Sequence, residues 1–275
     1  MGVRFDIVGD VHGMRQTLDA LVRQLGYHQS GSQLTHPQQR RLVFVGDLLD
    51  RGPDPLGCLE WVAQVVSTGQ ALMVLGNHEI NALHFMAGLR DDNPRTRGQF
   101  ASTLKQIDAR PDRWQEAARF LATVPTRLLL DEGRLRVVHA CWDEDQLDRL
   151  PVYLDTPELL KRTSSGGDLL DAVEICLKGP EEESEPFQDK DGRWHKFRRM
   201  AWWEQYPVEA PRVVFGHYWF PWTHDPSFPT APAWMAPGKN AACLDYSAGK
   251  GGPLVALRYP ELTFVSQPGL DLQPT

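Results

Sequence analysis

Cysteine is scarce. Cys58, Cys141, Cys176 and Cys243 are the four in 275 residues, and no two of them stand in a C-x-x-C arrangement. A disulfide framework and a thiolate zinc site are therefore not indicated, and free thiols in a reducing compartment are expected. Long apolar runs are missing too. No stretch approaches about 18 consecutive apolar residues, so no membrane-spanning helix is expected. The chain starts on a short apolar run without the basic and apolar stretches of a secretory leader, which leads to a cytoplasmic expectation. Positive charge is not in excess: 29 Lys and Arg against 36 Asp and Glu leave a net charge of −7 with His neutral. A basic nucleic-acid footprint is not indicated, so neither DNA nor a membrane is an expected partner. With no internal repeat and no obvious linker, residues 1–275 are read as one domain, with insertion or cap segments at about 90–125 and 150–205.

What is present is a repeated pattern. Five short apolar runs bounded by Gly or turn residues read as buried strands, and each ends on a possible metal ligand. Phe5 to Val8 runs into Gly9-Asp10-Val11-His12-Gly13, and Leu42 to Val45 into Gly46-Asp47-Leu48-Leu49-Asp50-Arg51-Gly52. Leu72 to Leu75 runs into Gly76-Asn77-His78-Glu79, Leu135 to Val138 into His139, and Arg212 to Phe215 into Gly216-His217. In open α/β sheets, ligands bind beyond the carboxyl ends of the strands. Asp10, His12, Asp47, Asn77, His139 and His217 should thus converge from five places on one edge.

Two carboxylates, one amide oxygen and three imidazoles mix hard oxygen donors with nitrogen. That set suits manganese, iron or zinc better than calcium. Six donors exceed one open catalytic ion but fit two ions if one carboxylate bridges, an arrangement suited to in-line displacement at phosphorus. Arg51 can hold phosphoryl oxygens in a bidentate fork. His78 can act as general acid, with Asp50 orienting it and favouring its protonated form.

The motifs Gly9–Gly13, Gly46–Gly52 and Gly76–Glu79 resemble the GDxHG, GDxxDRG and GNHE signatures of phosphoprotein-phosphatase-type, calcineurin-like metallophosphoesterases, and His139 and His217 match in order. The resemblance implies an α/β fold, a four-layer αββα sandwich of two mixed β-sheets flanked by helices. It implies two divalent metal ions, manganese first, with iron, zinc and nickel as further candidates. Asp10 and His12 would bind one ion, Asp47 would bridge, and Asn77, His139 and His217 would bind the other. A second phosphate-binding arginine is expected between the last two histidines, with Arg199 preferred over Arg198 and Arg162. Ile80-Asn81 after the third motif and Ala140-Cys141 after His139 depart from the eukaryotic Ser/Thr phosphatases. The stretch Arg51 to Pro55 is instead similar to bacterial enzymes of the phosphatase and diadenosine-tetraphosphatase type.

The expected function is phosphate-ester hydrolysis by direct attack of a metal-bridging hydroxide, with His78 as acid and Arg51 and Arg199 on the phosphoryl group. A phosphomonoester, including a phosphoprotein, is the main expected substrate. A dinucleoside polyphosphate such as diadenosine tetraphosphate is the alternative, and a catalytically silent binding module a third reading. Elsewhere, periodicity predicts helices from Leu18 to Leu25, Asp54 to Ser67, Glu79 to Met86 and Trp114 to Leu121, two more within 156–178, and a hairpin across 128–138. The acidic stretch from Lys178 to Trp194 reads as a surface loop or small flap, Asp245 to Gly252 as a hairpin between late strands, and those strands as a second sheet. Cys141 reads as a small buried hydrophobe. The late tryptophans read as packing, with a stacking wall beside the site as the sharper idea. Asp6, His28, His36, His84, His195 and His224 read as structural or exposed.

Overall fold

The computed structural model describes residues 3–188, 194–222 and 232–272, apart from the side chains of Phe187 and His195. In chain order, β1 (Phe5–Val8) leads to α1 (Arg15–Gln24), the short hairpin β2 (His28–Ser30) and β3 (Gln33–Thr35), β4 (Arg41–Phe44), α2 (Pro55–Ser67), β5 (Ala71–Met73) and α3 (Asn77–Met86). Helices α4 (Pro94–Gln99), α5 (Ala101–Ala109) and α6 (Pro111–Leu121) precede β6 (Arg127–Leu130) and β7 (Leu135–Val138). Then come α7 (Glu144–Arg149), α8 (Pro157–Arg162), α9 (Leu170–Lys178), β8 (Glu181–Gln188), β9 (Trp194–Arg199), β10 (Arg212–Phe215), β11 (Ala241–Cys243), β12 (Leu254–Tyr259) and β13 (Thr263–Gln267).

Two mixed sheets form the centre. One has the order β13-β12-β1-β4-β5 and the other β11-β10-β7-β6. The β1, β4 and β5 strands run parallel, as the alternation of strands and helices predicts, and β7, β10 and β11 do the same in the second sheet. Side chains alternate between faces along a strand. Phe5 and Ile7 of β1, Val43 of β4, Val137 of β7 and Val214 of β10 therefore fill the layer between the sheets. Val8, Leu42, Phe44, Val213 and Phe215 face the other way, into the helices. Each fully buried side chain of this size contributes about 1.5–3 kcal/mol.

Local chemistry explains the helix starts. Asp54 caps α2 by accepting the Gly57 N–H at 3.1 Å, with Pro55 in the first turn. Helix α1 has no cap of its own; the carboxylate of Asp271, from the far end of the chain, accepts the N–H groups of Gln16 at 2.8 Å and Thr17 at 2.9 Å.

Several expectations need correction. Strands β12 and β13 do not build the second sheet: β12 pairs antiparallel with β1 and completes the first. Residues 245–252 are consequently no hairpin but the passage from one sheet to the other, through left-handed Ser247 and a single turn at Ala248–Lys250. The acidic stretch is not a loop: β8 and β9 pair antiparallel, with Glu181 opposite Arg199 and Glu182 opposite Arg198. Opposite charges across a ladder stabilise it, so acid strand and basic strand specify each other. The predicted hairpin across 128–138 is present as β6 and β7. The predicted helix near Trp114 is α6, and α4 and α5 precede it.

Candidate active site

All five ligand-bearing strand ends meet at one edge of the sandwich. The atoms of His12, Asp47 and His78 that could ligate lie within 4.8 Å of one another, and so do those of Asp47, His139 and His217. Asp47 belongs to both groups. Asp10 lies outside both, yet it touches the second: its Oδ2 accepts the His217 N–H at 2.9 Å. The amide oxygen of Asn77 accepts from His139 Nε2 at 3.0 Å and His217 Nδ1 at 2.7 Å. All six expected ligands are therefore in one cluster, and all are buried.

The backbone is bent hard to deliver them. His12, Asp47, Asp50, Arg51, His217 and Trp219 all take left-handed φ values between 46° and 74°. Such conformations cost about 1–3 kcal/mol each and persist only where the surroundings over-determine them. Two glycines make room. A Cβ on Gly76 would stand 2.3 Å from Asp47 Oδ1, and one on Gly216 would stand 1.9 Å from Asp10 Oδ1.

Among the six expected ligands, three buried atoms have no hydrogen-bond partner: Asp10 Oδ1, His12 Nε2 and His217 Nε2. The other nitrogen of each ring is committed, His12 Nδ1 donating to the Leu49 carbonyl at 3.0 Å and His217 Nδ1 to Asn77. His139 Nδ1 donates to the Val45 carbonyl at 2.8 Å. His12 and His217, tied at one nitrogen and open at the other, are prepared for a metal in the usual way, while His139 Nε2 is engaged by Asn77. Orphaned buried lone pairs cost about 1–3 kcal/mol each when nothing takes them up. The residues present fit divalent ions.

Charge is divided unevenly. Burial, then the neighbouring His78, pushes the His12 imidazole down to about 3, and burial with Arg199 holds His217 well below its ordinary value. Burial also opposes charge on His139. There the Asp47 carboxylate at 3.3 Å, with Asp10 beyond it, prevails and raises the ring to about 10. Burial would raise Asp47, but His139 and His78 hold its carboxyl well below the usual range. Asp10 goes the opposite way, raised by burial and by Asp245. His78 is raised against its burial by Asp47 and by the hydrogen bond from its Nδ1 to Asp50 Oδ2 at 2.5 Å.

Four supporting groups were not assigned from the sequence. Glu79 accepts the N–H groups of Asp47, Leu48, Leu49 and Gly76 at 2.8–3.2 Å, and so clamps the second motif to the start of α3. Thr103 of α5 donates to Asp50 Oδ1 at 2.5 Å and accepts the Asp50 N–H at 3.0 Å. Asp245 accepts the N–H groups of Trp219 at 2.7 Å and Ser247 at 3.0 Å. Lys250 stands 4.7 Å from the Trp219 ring centre, and Arg51 stands 4.0 Å from it. Asp245 did carry a signal, since it ends a sixth apolar run; Thr103 carried none.

A cleft of ≈1230 Å³ opens over the cluster. Asp50, Arg51, Asn77, His78 and His217 form its floor, and Arg199 enters from the β8–β9 hairpin, its guanidinium donating to the His217 carbonyl at 3.2 Å. Arg162 is elsewhere, paired with Asp168 on the surface, and Arg198 does not line the cleft. Among the described tryptophans, Trp219 alone lines it. Trp202 and Trp203 pack on Phe215, and Trp234 on Phe264. Cys141 is buried, and burial pushes its thiol up, so it serves as packing. Asp6 pairs with Arg40 and Arg258, and His84 bonds Leu160 and Thr163. The side chain of His195 and residue His224 lie outside the described residues.

Comparison with known proteins agrees with this geometry. The family model for calcineurin-like phosphoesterases matches residues 3–219. The bis(5'-nucleosyl)-tetraphosphatase PrpE [asymmetrical] of Geobacillus thermodenitrificans is 31% identical, with 97% of this chain and 94% of the relative covered. The protein of that name from Bacillus cereus is 30% identical with the same coverage. A cold-active protein-tyrosine phosphatase of a Shewanella species shares the fold, with a TM-score of 0.57 at 17% identity over 97% of this chain and 81% of that one. A chain whose sheets gather aspartates and histidines at one edge in this order, and whose sequence matches the family over residues 3–219, belongs to the calcineurin-like phosphoesterases, which are metal-dependent hydrolases.

Proposed function

We propose that this chain hydrolyses dinucleoside polyphosphates, cutting a dinucleoside tetraphosphate asymmetrically into a nucleoside triphosphate and a nucleoside monophosphate. This adopts the alternative of the sequence reading in place of a phosphomonoester. The carrying observation is the cleft itself. At ≈1230 Å³ it exceeds what one phosphoryl group requires, and Arg51, Arg90, Arg95, Lys178 and Arg199 line it. A string of cations along a long cleft suits a polyanionic chain. The names of the PrpE relatives support the same reading.

In this proposal Asp10, His12 and Asp47 would hold one divalent ion, and Asp47, Asn77, His139 and His217 would hold the other, with manganese the first candidate. The ions would supply Lewis acidity and lower the pKa of water. Arg51 offers the phosphoryl oxygens a guanidinium that no described protein acceptor engages, oriented by the Trp219 ring at 4.0 Å. Arg199 closes the other side. His78, kept protonated by Asp47 and Asp50, gives its proton to the leaving oxygen, a service worth about 10²–10⁴-fold. Thr103 and Asp50 hold the ring for that transfer.

The test is product analysis on manganese-loaded protein. Diadenosine tetraphosphate should yield ATP and AMP in equal amounts, faster than phosphopeptides release phosphate. Faster phosphopeptide turnover would return the reading to a phosphomonoesterase, and ADP as sole product would overturn asymmetrical cleavage.

A further inference from the structure

A second cavity of ≈470 Å³ adjoins the catalytic cleft. The two share a wall that includes Arg90, Arg95 and Lys178. Resting on the function proposed above, we propose that this cavity is the subsite for the distal nucleoside of the substrate, and that Arg90 and Arg95 hold the phosphates of the leaving nucleotide between it and the reacting centre.

Four observations carry this. The first is charge without a partner. Arg97, Arg110, Arg113, Arg134 and Arg162 each pair with a carboxylate. Among the described residues Arg90 and Arg95 pair with none, and Arg90 donates only to the Gln99 amide oxygen at 3.0 Å. The second is crowding of like charge. Arg90 is half-buried and lies close enough to Arg95 for the two cations to repel, which, after burial and against the pull of Asp50, helps to lower the Arg90 guanidinium from its ordinary value. Arg95 is exposed, so water screens part of the repulsion, and an anion between the two guanidinium groups would meet both with charge-assisted hydrogen bonds. Lys178 contributes less, because Glu174 already pairs with it.

The third observation is size. Small-ligand pockets run from about 300 to 1,000 Å³. The cavity's ≈470 Å³ therefore suits one nucleoside and not a whole dinucleotide. The fourth is lining. Half-buried Leu170, backed by the buried Ile80 and Val173, gives an apolar contact for a base, while Asn93 and Ser165 offer polar groups at the edge. Most of the lining is polar, Asn81 and Gln99 included, and it offers partners to the hydroxyls and ring nitrogens of a nucleoside. When water attacks the phosphorus that bears the near nucleoside, the bond to the next phosphate breaks, and the leaving group is a nucleoside triphosphate. Its phosphates then cross the shared wall, and its nucleoside reaches the second cavity.

Two variants and three substrates separate the parts. The substrates are diadenosine tetraphosphate, adenosine 5'-tetraphosphate (a phosphate chain with no second nucleoside) and p-nitrophenyl phosphate, which reaches neither. The readout is kcat/KM on each nucleotide divided by kcat/KM on p-nitrophenyl phosphate. Arg95→Ala should lower this ratio about tenfold or more for both nucleotides, the loss expected for one charge-assisted hydrogen bond. Ser165→Trp, which fills the edge of the cavity, should lower it for diadenosine tetraphosphate alone. Arg97→Ala, whose partner Asp92 is on the surface, should leave both ratios as they are. Retention of the diadenosine tetraphosphate ratio in both Arg95→Ala and Ser165→Trp would overturn the subsite while leaving the proposed function standing. Failure of the unaltered protein to cleave diadenosine tetraphosphate would overturn that function instead, and the subsite with it.

Discussion

Asp47 faces His139 at 3.3 Å and His78 at 3.9 Å, so its negative charge is shared by two imidazoles before any metal arrives. His139 is raised to about 10, and it is therefore protonated in the metal-free chain at neutral pH. A ligating nitrogen must lose that proton, so metal affinity should climb about tenfold per pH unit for each proton displaced, until the pH nears 10. The sign for folding is the reverse. A histidine raised above its unfolded value of about 6.5 contributes stability fully below that pH and loses it as pH rises toward 10. Raising the pH from 7 to 9 should lower the Tm of chelator-treated protein and raise its manganese affinity. A Tm unchanged under chelator, or a pH-independent manganese Kd, would show that His139 carries no such proton. The residues of this kind were legible in the sequence because each follows an apolar run, and all but His139 stand beside glycine. Glu79 and Thr103 were not, since they act through the backbone N–H groups and carboxylate they engage, and such service leaves no periodic trace.

The first turn of α3 shows what an element adds to its residues. Asn77 and His78 sit at the helix start, where backbone dipoles favour negative charge, and Glu79 in the same turn ties the helix to the loop bearing Asp47. Glu79→Gln replaces a carboxylate oxygen by an amide that cannot accept, leaving at least one buried N–H unpaired. The expected loss is about 1–3 kcal/mol of stability, read from denaturant midpoints, with weaker metal binding beside it. Equal midpoints for the two proteins would show that the clamp is dispensable. At this scale the sequence was read well where one period dominates, as in β1, β4, α2 and the β6–β7 hairpin. It was read poorly in β8 and β9, because their pairing rests on Glu181 and Glu182 meeting Arg199 and Arg198, residues far apart in sequence whose complementarity shows only once both strands are aligned.

At the scale of the whole molecule, the order of strands matters more than their sequence. Strand β1, which carries Asp10 and His12 at its end, lies between β4 and β12, so its neighbours come from early and late parts of the chain. Asp271 reaches back to cap α1 as well. A chain ending at Gly252 should lose cooperative unfolding and manganese binding together, although all six proposed ligands remain in it; retention of both, by calorimetry and elemental analysis, would show that β12 and β13 are ornament. The same strand order has a consequence for how the protein is made. Synthesis runs from the amino end at about 5–20 residues per second. Asp10 and His12 are therefore made long before β12, the strand that flanks β1, and meet their full surroundings only once it has emerged. The edge that gathers the six candidate ligands is thus completed only after β12 has been made, which places its assembly late in synthesis.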